Sequence, residues 1–354
     1  MVEVLEPVPG QDAVDEALPL PQTQLAAPVS RERSARKLVA WYLVTAFFLV
    51  TLNFFLPRVV PGNPIDLQLS LGTSNPIQSD TKERLARYYG LDDPLVVQYG
   101  HYLNGLAHGD LGYSIRQNVP VVDLLRERLP WTLLLVTSAI SLAATVGLIA
   151  GVHSAWHRGK AVDQGLLSGF LAASSIPPFF LGSVAVFAFA VKLGWFPLSG
   201  ARTAFGDRSG AMAAMGDVAY HLVLPATVLA LAFLLTLYLV MRSSMVSELG
   251  SDYLLVGRAK GLRARRLKYG YAARNAMLPV VTEVALLLGV AVPVAIFVEQ
   301  IFAYPGLGRL LTQSALNRDY PAMQGCFLVL SLLVITLNLV ADLVNARLDP
   351  RTRP

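Results

Sequence analysis

The 354-residue sequence is poor in charged residues and contains a single cysteine. Asp, Glu, Lys and Arg make up 15% of the residues, whereas 54% are hydrophobic. Soluble domains average about 25% charged residues, so this composition excludes an ordinary soluble globular protein. The lone Cys326 excludes an intrachain disulfide, and its apolar surroundings indicate a small hydrophobic residue within a helix.

Catalytic and nucleotide-binding motifs are also missing from the sequence. The one candidate for a phosphate-binding loop, Gly159-Lys160, is followed by Ala161 and preceded by no glycine-rich run. His153 and His157 have the i, i+4 spacing of a metal pair, but no third ligand lies nearby, so we interpret them as a solvated helix face. We therefore predict no catalytic residue, no metal site and no cofactor bound by this chain.

Long hydrophobic runs are abundant, and each has about the 20 residues that a helix needs to cross a bilayer. Backbone groups in lipid must be paired within their own segment, so these runs predict helices and an all-α integral membrane protein. The six candidate spans are 38–56, 131–152, 165–191, 221–241, 279–301 and 324–344. Pro177-Pro178 and Pro293 are expected to interrupt their helices.

Lys and Arg residues predict the orientation of these spans, because basic loops stay in the cytoplasm. With six alternating helices, seventeen of the 29 basic residues fall on one side. Of the other twelve, seven lie in the long 57–130 loop, which weighs less in this rule. We therefore expect cytoplasmic termini, an extracytoplasmic 57–130 loop and a cytoplasmic 242–278 loop.

The sequence predicts four further regions besides the two loops. Residues 1–30 are acidic and rich in proline, which predicts a disordered tail. Residues 31–56 comprise a basic flank and the first span, 131–344 form the core of the other five spans, and 345–354 form a short tail.

The 57–130 loop carries turn motifs, several tyrosines and a predicted amphipathic helix near residues 80–89. A connection of this length with such patterning is usually folded and functional. We expect it to form a docking platform outside the membrane.

The 242–278 loop is the most informative segment, because its basic residues lie among strong helix formers. We expect short helices on the inner membrane surface that bind a partner. Gly261 costs about 1 kcal/mol relative to alanine within a helix, which indicates either a close helix approach or a turn that starts the docking helix. A simple break between two surface segments is the alternative. The eight basic residues of the loop are Arg242, Arg258, Lys260, Arg263, Arg265, Arg266, Lys268 and Arg274.

Polar and small residues within the spans leave two interpretations open. Glu283, Glu299 and Asp342 suggest either hydrogen bonds between helices or positions on a transport path. Small residues every four positions, as in 143–151 and 165–173, indicate close packing within the chain or against a second subunit.

Several motifs together resemble the inner-membrane permease subunits of binding-protein-dependent ABC importers, specifically the B-type permease of the dipeptide, oligopeptide and nickel branch. The motifs are Pro61-Gly62-Asn63-Pro64, Tyr89-Gly90-Leu91-Asp92, Gly109-Asp110-Leu111-Gly112-Tyr113, Arg128-Leu129-Pro130, Leu193-Gly194-Trp195, Asp252-Tyr253, Arg258-Ala259-Lys260-Gly261-Leu262, Arg274-Asn275-Ala276 and Asn317-Arg318-Asp319. This resemblance implies six transmembrane helices in the type I, MetI-like permease fold of the bacterial inner membrane.

The resemblance also implies partners and site residues. The chain would form half of a peptide pore with a C-type permease, and two ATPase subunits, or one fused ATPase, would bind ATP and Mg²⁺. An external binding protein would deliver the substrate, and no nucleic acid would be involved. ATPase coupling falls on Arg258, Ala259, Lys260, Gly261, Leu262, Arg263, Arg265 and Arg266. Docking of the binding protein falls on Asn63, Tyr89, Asp110 and Tyr113.

Two other classes of protein compete with this interpretation. An ion- or proton-coupled secondary transporter acting alone would show inverted repeats, which we do not find. A membrane-embedded enzyme would need a catalytic cluster, and the sequence offers none.

Overall fold

The computed structural model describes the backbone of residues 31–59, 93–203 and 210–348. The described residues confirm an all-α chain, and the sequence motifs at Asn63, at Tyr89 and in the predicted helix 80–89 lie outside them. Ten α-helices are described: α1 Arg31–Val59, α2 Leu95–Ala107, α3 Val121–Trp156, α4 Ala161–Ser174, α5 Pro178–Ala185, α6 Ala211–Leu249, α7 Asp252–Ala259, α8 Ala273–Ile301, α9 Leu307–Leu316 and α10 Tyr320–Leu348. Two π-helical segments, Val186–Lys192 and Arg266–Ala272, extend α5 and lead into α8.

Four described helical segments are long and apolar enough to cross a membrane. They comprise α3, α6, α8 with its π-helical lead-in, and α10, and they coincide with the second, fourth, fifth and sixth predicted spans. The first predicted span corresponds to a shorter apolar stretch of α1, Ala40–Phe55. These helices define a multi-pass integral membrane protein.

The third predicted span is a bent pair, because α4 and α5 meet at 93°. Pro177, which has no N–H to donate, lies at the bend and ends α4 as expected. Asp163 near the start of α4 bonds to Arg242, whereas Gly182 in α5 lies against Ile301 at the far end of α8. The pair therefore runs from one end of the helix bundle to the other.

The expectation that Pro293 interrupts its helix is wrong, because α8 continues through both Pro279 and Pro293. Each proline removes one backbone hydrogen bond, and packing of the surrounding residues can hold the helix together. Val292 and Ala295, on either side of Pro293, are fully buried in the core.

Close packing of α3 against α6 forms the centre of the molecule. A methyl group at Gly151 would lie 2.8 Å from Met241 Cβ, and one at Gly147 would lie 3.1 Å from Leu237 Cβ. The stripe at 143–151 therefore packs within the chain. The second stripe differs, since Gly165 and Gly169 have no described neighbour within 4 Å of such a methyl group.

Candidate functional site

The predicted coupling segment lies at the end of the bundle that we call the basic end, formed by residues 153–163 and 242–268. Here α6 extends to Leu249, so the connection is shorter than the predicted 242–278 loop. Helix α7 lies within this connection, with Leu254 and Gly257 buried. The structure exposes seven of the eight predicted coupling residues and half-buries the eighth, Leu262. The exposed residues are Arg258, Ala259, Lys260, Gly261, Arg263, Arg265 and Arg266.

Gly261 ends α7 in a tight turn. Its φ is +73°, a left-handed conformation that glycine adopts without a steric penalty. The Gly261 N–H donates to the Arg258 carbonyl at 2.9 Å, and the Leu262 N–H donates to the Gly257 carbonyl at 3.1 Å. These two bonds form a Schellman motif, which satisfies carbonyls left free at a helix end. Gly261 thus lies in the turn that ends α7, and an added methyl group there meets no described neighbour.

The close helix approach belongs to Gly257 instead. A methyl group at Gly257 would lie 2.6 Å from Leu267 Cδ2, whereas one at Gly261 would meet nothing within 4 Å. Leu267 is buried in the π-helical segment that leads into α8. Gly257 therefore lets α7 pack on the segment that leads into α8. Sequence spacing alone did not distinguish these two glycines.

Two polar contacts fix α7 and the start of α8 to neighbouring helices. The Tyr253 hydroxyl donates to Glu248 at the end of α6. Burial, and next the hydrogen bond to Glu248, raise the pKa of Tyr253, so the hydroxyl remains protonated. Lys268 is buried, and its Nζ lies 3.2 Å from Nδ1 of His153 in α3. His153 thus contacts the segment that leads into α8.

An ion pair that the sequence did not predict joins α4 to α6 at the same end. Arg242 donates from Nε and Nη2 to the two carboxylate oxygens of Asp163, both at 2.7 Å. Ser154 also donates to Asp163, as does the Gly159 N–H at 2.9 Å. The Asp163 side chain is 5% exposed, so its charge depends on these donors. Arg242 was predicted to lie in the 242–278 loop, but it belongs to α6.

The opposite end of the bundle, which we call the hairpin end, comprises residues 110–121 and 299–321. Asp110 Oδ1 accepts a hydrogen bond from the Gly112 N–H at 2.8 Å, so this predicted docking residue stabilises a turn. Tyr113 pairs with Pro120 in an isolated antiparallel bridge that closes a short hairpin, residues 113–120, and Tyr113 is 52% exposed. The structure therefore leaves the Tyr113 side chain accessible to a partner.

Buried Asp319 holds the hairpin in place. Its carboxylate accepts hydrogen bonds from the Ser114 hydroxyl and from the Ile115 and Arg116 N–H groups, at 3.1 and 3.3 Å for the two backbone donors. Asp319 lies just before α10. One carboxylate thus links the hairpin to the last helix.

Glu299 and Asp342 join helices within the chain. Glu299 is fully buried and accepts hydrogen bonds from the Thr132 hydroxyl at 2.7 Å and the Arg309 N–H at 3.0 Å. Asp342 in α10 accepts a hydrogen bond from the Tyr42 hydroxyl in α1 at 2.9 Å. These contacts favour the structural interpretation of both acids, while Glu283 is half-buried in α8.

Comparison with known proteins places the chain in a family. Residues 143–354 match the family described as binding-protein-dependent transport system inner membrane component. The chain is 37% identical over 301 residues to the oligopeptide transport system permease protein AppB of Bacillus subtilis (strain 168), covering 85% of this chain and 92% of that protein. It is 36% identical over 329 residues to the di/tripeptide transport system permease protein DppB of Pseudomonas aeruginosa (strain UCBPP-PA14), covering 88% and 96%.

The chain therefore belongs to the family of inner membrane components of binding-protein-dependent transport systems. This confirms the resemblance found in its sequence motifs. A component of such a system works with other subunits.

Proposed function

We propose that this chain is the pore-forming permease subunit of an ATP-driven importer for peptides. The names of its relatives, which are oligopeptide and di/tripeptide permeases, support the substrate class. A C-type permease would complete the pore, and an external binding protein would deliver the peptide. ATP and Mg²⁺ would bind to the ATPase subunits and not to this chain.

The observation that carries the coupling proposal is the exposed turn at Gly261. Helix α7 exposes Leu255, Val256 and Arg258 to solvent, while Gly257 on its inner face lies against Leu267. An exposed surface that combines apolar and basic groups is suited to bind a partner protein. An ATPase subunit that binds there would transmit its motion through α7 to the start of α8.

The proposed topology has six spans in the inner membrane, with the basic end and both termini in the cytoplasm. The short apolar stretch of α1 and the bent pair α4–α5 supply the first and third crossings. The described part of the 57–130 loop then lies outside, where the binding protein docks. The positive-inside distribution of Lys and Arg supports this orientation.

Purification of the complex from native membranes tests the function. We expect two ATPase subunits, or one fused ATPase, and a second permease to copurify with this chain. Proteoliposomes containing that complex should take up peptide only with ATP and binding protein present. Uptake driven by an ion gradient without ATP would contradict the proposal and favour a secondary transporter.

Cysteine labelling tests the topology. In a Cys326→Ala background, Asp93→Cys should react with a membrane-impermeant maleimide added outside sealed cells. Arg265→Cys should react only after the cells are opened, because it lies at the basic end. Labelling of both residues from outside would contradict the proposed orientation.

A further inference from the structure

A polar cavity of about 320 Å³ opens at the hairpin end, between the hairpin, α3 and α9. This volume is about ten times the roughly 30 Å³ that one water molecule occupies in the liquid, so the cavity can hold a side chain or the end of a peptide. The lining includes two guanidinium groups, three side-chain amides and one carboxylate. These groups belong to Arg116, Arg128, Gln117, Gln313, Asn317 and Asp319.

The carboxylate in the lining is already engaged. Asp319 accepts hydrogen bonds from Ser114, Ile115 and Arg116, as described above, so its lone pairs are directed to the hairpin. Two arginines against one acid leave the lining with a net positive charge. The cavity is therefore an electrostatic match for an anionic group.

Arg128 supplies the second observation. Its Nε is buried, and among the described residues no group accepts a hydrogen bond from it. The Arg128 side chain as a whole is 26% exposed, but a buried N–H without an acceptor is still energetically costly. The nearest acid, Glu127, lies 3.9 Å from Nη2 with a side chain that is 66% exposed, and such a solvent-exposed pair contributes little.

Arg116 is an exposed residue that also lines the cavity, and one hydrogen bond orients its side chain. Its Nη1 donates to Oδ1 of Asn317 at 2.8 Å, which fixes the guanidinium while leaving its other donors available. Arginine binds carboxylates with two parallel hydrogen bonds, and two arginines that line one cavity can both donate to one carboxylate.

We propose that this cavity binds a carboxylate presented from outside the membrane during import. The inference rests on the proposed function. Two sources share this chemistry: an Asp or Glu side chain of the binding protein, and the C-terminal carboxylate of the peptide.

Arg128→Gln and Arg116→Gln test the proposal in the complete complex in nanodiscs. Arg126→Gln is the matched control, because Arg126 lies on the same helix as Arg128 but is 79% exposed and faces Asp123. Two quantities are measured for each variant: the affinity for the binding protein, and the maximal uptake rate of a free-acid peptide and of its C-terminal amide.

If the carboxylate belongs to the binding protein, the affinity of both cavity variants for the binding protein should fall at least about tenfold. The reason is that truncating one partner of a charge pair buried in an interface mainly speeds dissociation. If it belongs to the peptide, binding-protein affinity should be unchanged. Uptake of the free-acid peptide should then fall about tenfold, and the amide should be carried equally by the variants and the wild type.

The proposal is overturned if neither quantity changes in Arg128→Gln and Arg116→Gln, or if Arg126→Gln has the same effect as they do. Arg116→Gln guards against misfolding, since it alters a hairpin side chain outside the packed helices. Failure of the wild-type complex to import peptide with ATP would contradict the proposed function. Wild-type import that is insensitive to both arginines would contradict the cavity proposal alone.

Discussion

Substitutions at Gly261 separate backbone strain from contact with a partner. Because φ is +73°, any side chain at this position costs about 1–2 kcal/mol, whether it is alanine or leucine. Neither side chain meets a described neighbour at its Cβ. Gly261→Ala and Gly261→Leu should therefore destabilise the free turn by similar amounts and differ only in how far they project from the surface.

If an ATPase subunit covers this turn, the larger side chain must be forced into its binding groove. Overpacking of this kind costs about 1–3 kcal/mol, equivalent to roughly 5- to 150-fold in affinity. We expect Gly261→Leu to bind purified ATPase subunits more weakly than Gly261→Ala by a factor in this range. Peptide uptake should fall in parallel.

Gly159→Leu provides a matched control. Gly159 has a φ of +79°, also has no described neighbour within 4 Å of an added methyl group, and lies at the same basic end. It therefore reproduces the strain and the added bulk outside the predicted coupling segment. Binding titrations of the ATPase subunits to each variant in nanodiscs measure the effect. Equal affinities for Gly261→Ala and Gly261→Leu, or an equal loss in Gly159→Leu, would refute the reasoning.

Two further predictions concern stability and are measured by thermal unfolding in detergent. Arg242→Met should lower the free energy of unfolding by about 3 kcal/mol, because it leaves the Asp163 carboxylate buried without its ion-pair partner. The double variant Arg242→Met/Asp163→Asn should be more stable than Arg242→Met alone. If the loss in the double variant equals the sum of the losses in the two single variants, the ion pair is not the cause. Gly306→Ala should cost about 1–3 kcal/mol, because its methyl group would overlap the Glu299 carboxylate. Gly169→Ala, which meets open space, should cost nothing.

Hydropathy predicted most of the helical architecture, because a lipid-exposed helix needs about 20 apolar residues whatever its neighbours are. Four of the six predicted spans are single long helices in the structure. The third predicted span, 165–191, differs from these four. The sequence marked Pro177 as a break but could not show a 93° bend, which depends on where α5 packs.

The basic residues of the sequence indicated where the candidate coupling segment lies, but only the structure shows which of its residues are in contact. Gly257 and Gly261 are four residues apart, about one helical turn, and both lie within the predicted loop. Only packing shows that Gly257 faces Leu267 while Gly261 faces open space. The ion pair of Asp163 with Arg242 was missed for the same reason, since the two residues are far apart in sequence and meet only when α4 lies against α6.

Composition, hydropathy and local motifs thus determined the class of this protein, the positions of its long apolar helices and the position of the basic connection. These are properties of short segments and of their preference for lipid or water. Tertiary structure decided which glycines allow close contact, which acids are structural and that Arg116 and Arg128 share one cavity. Such pairings depend on the relative placement of whole helices, which no local pattern in the chain encodes.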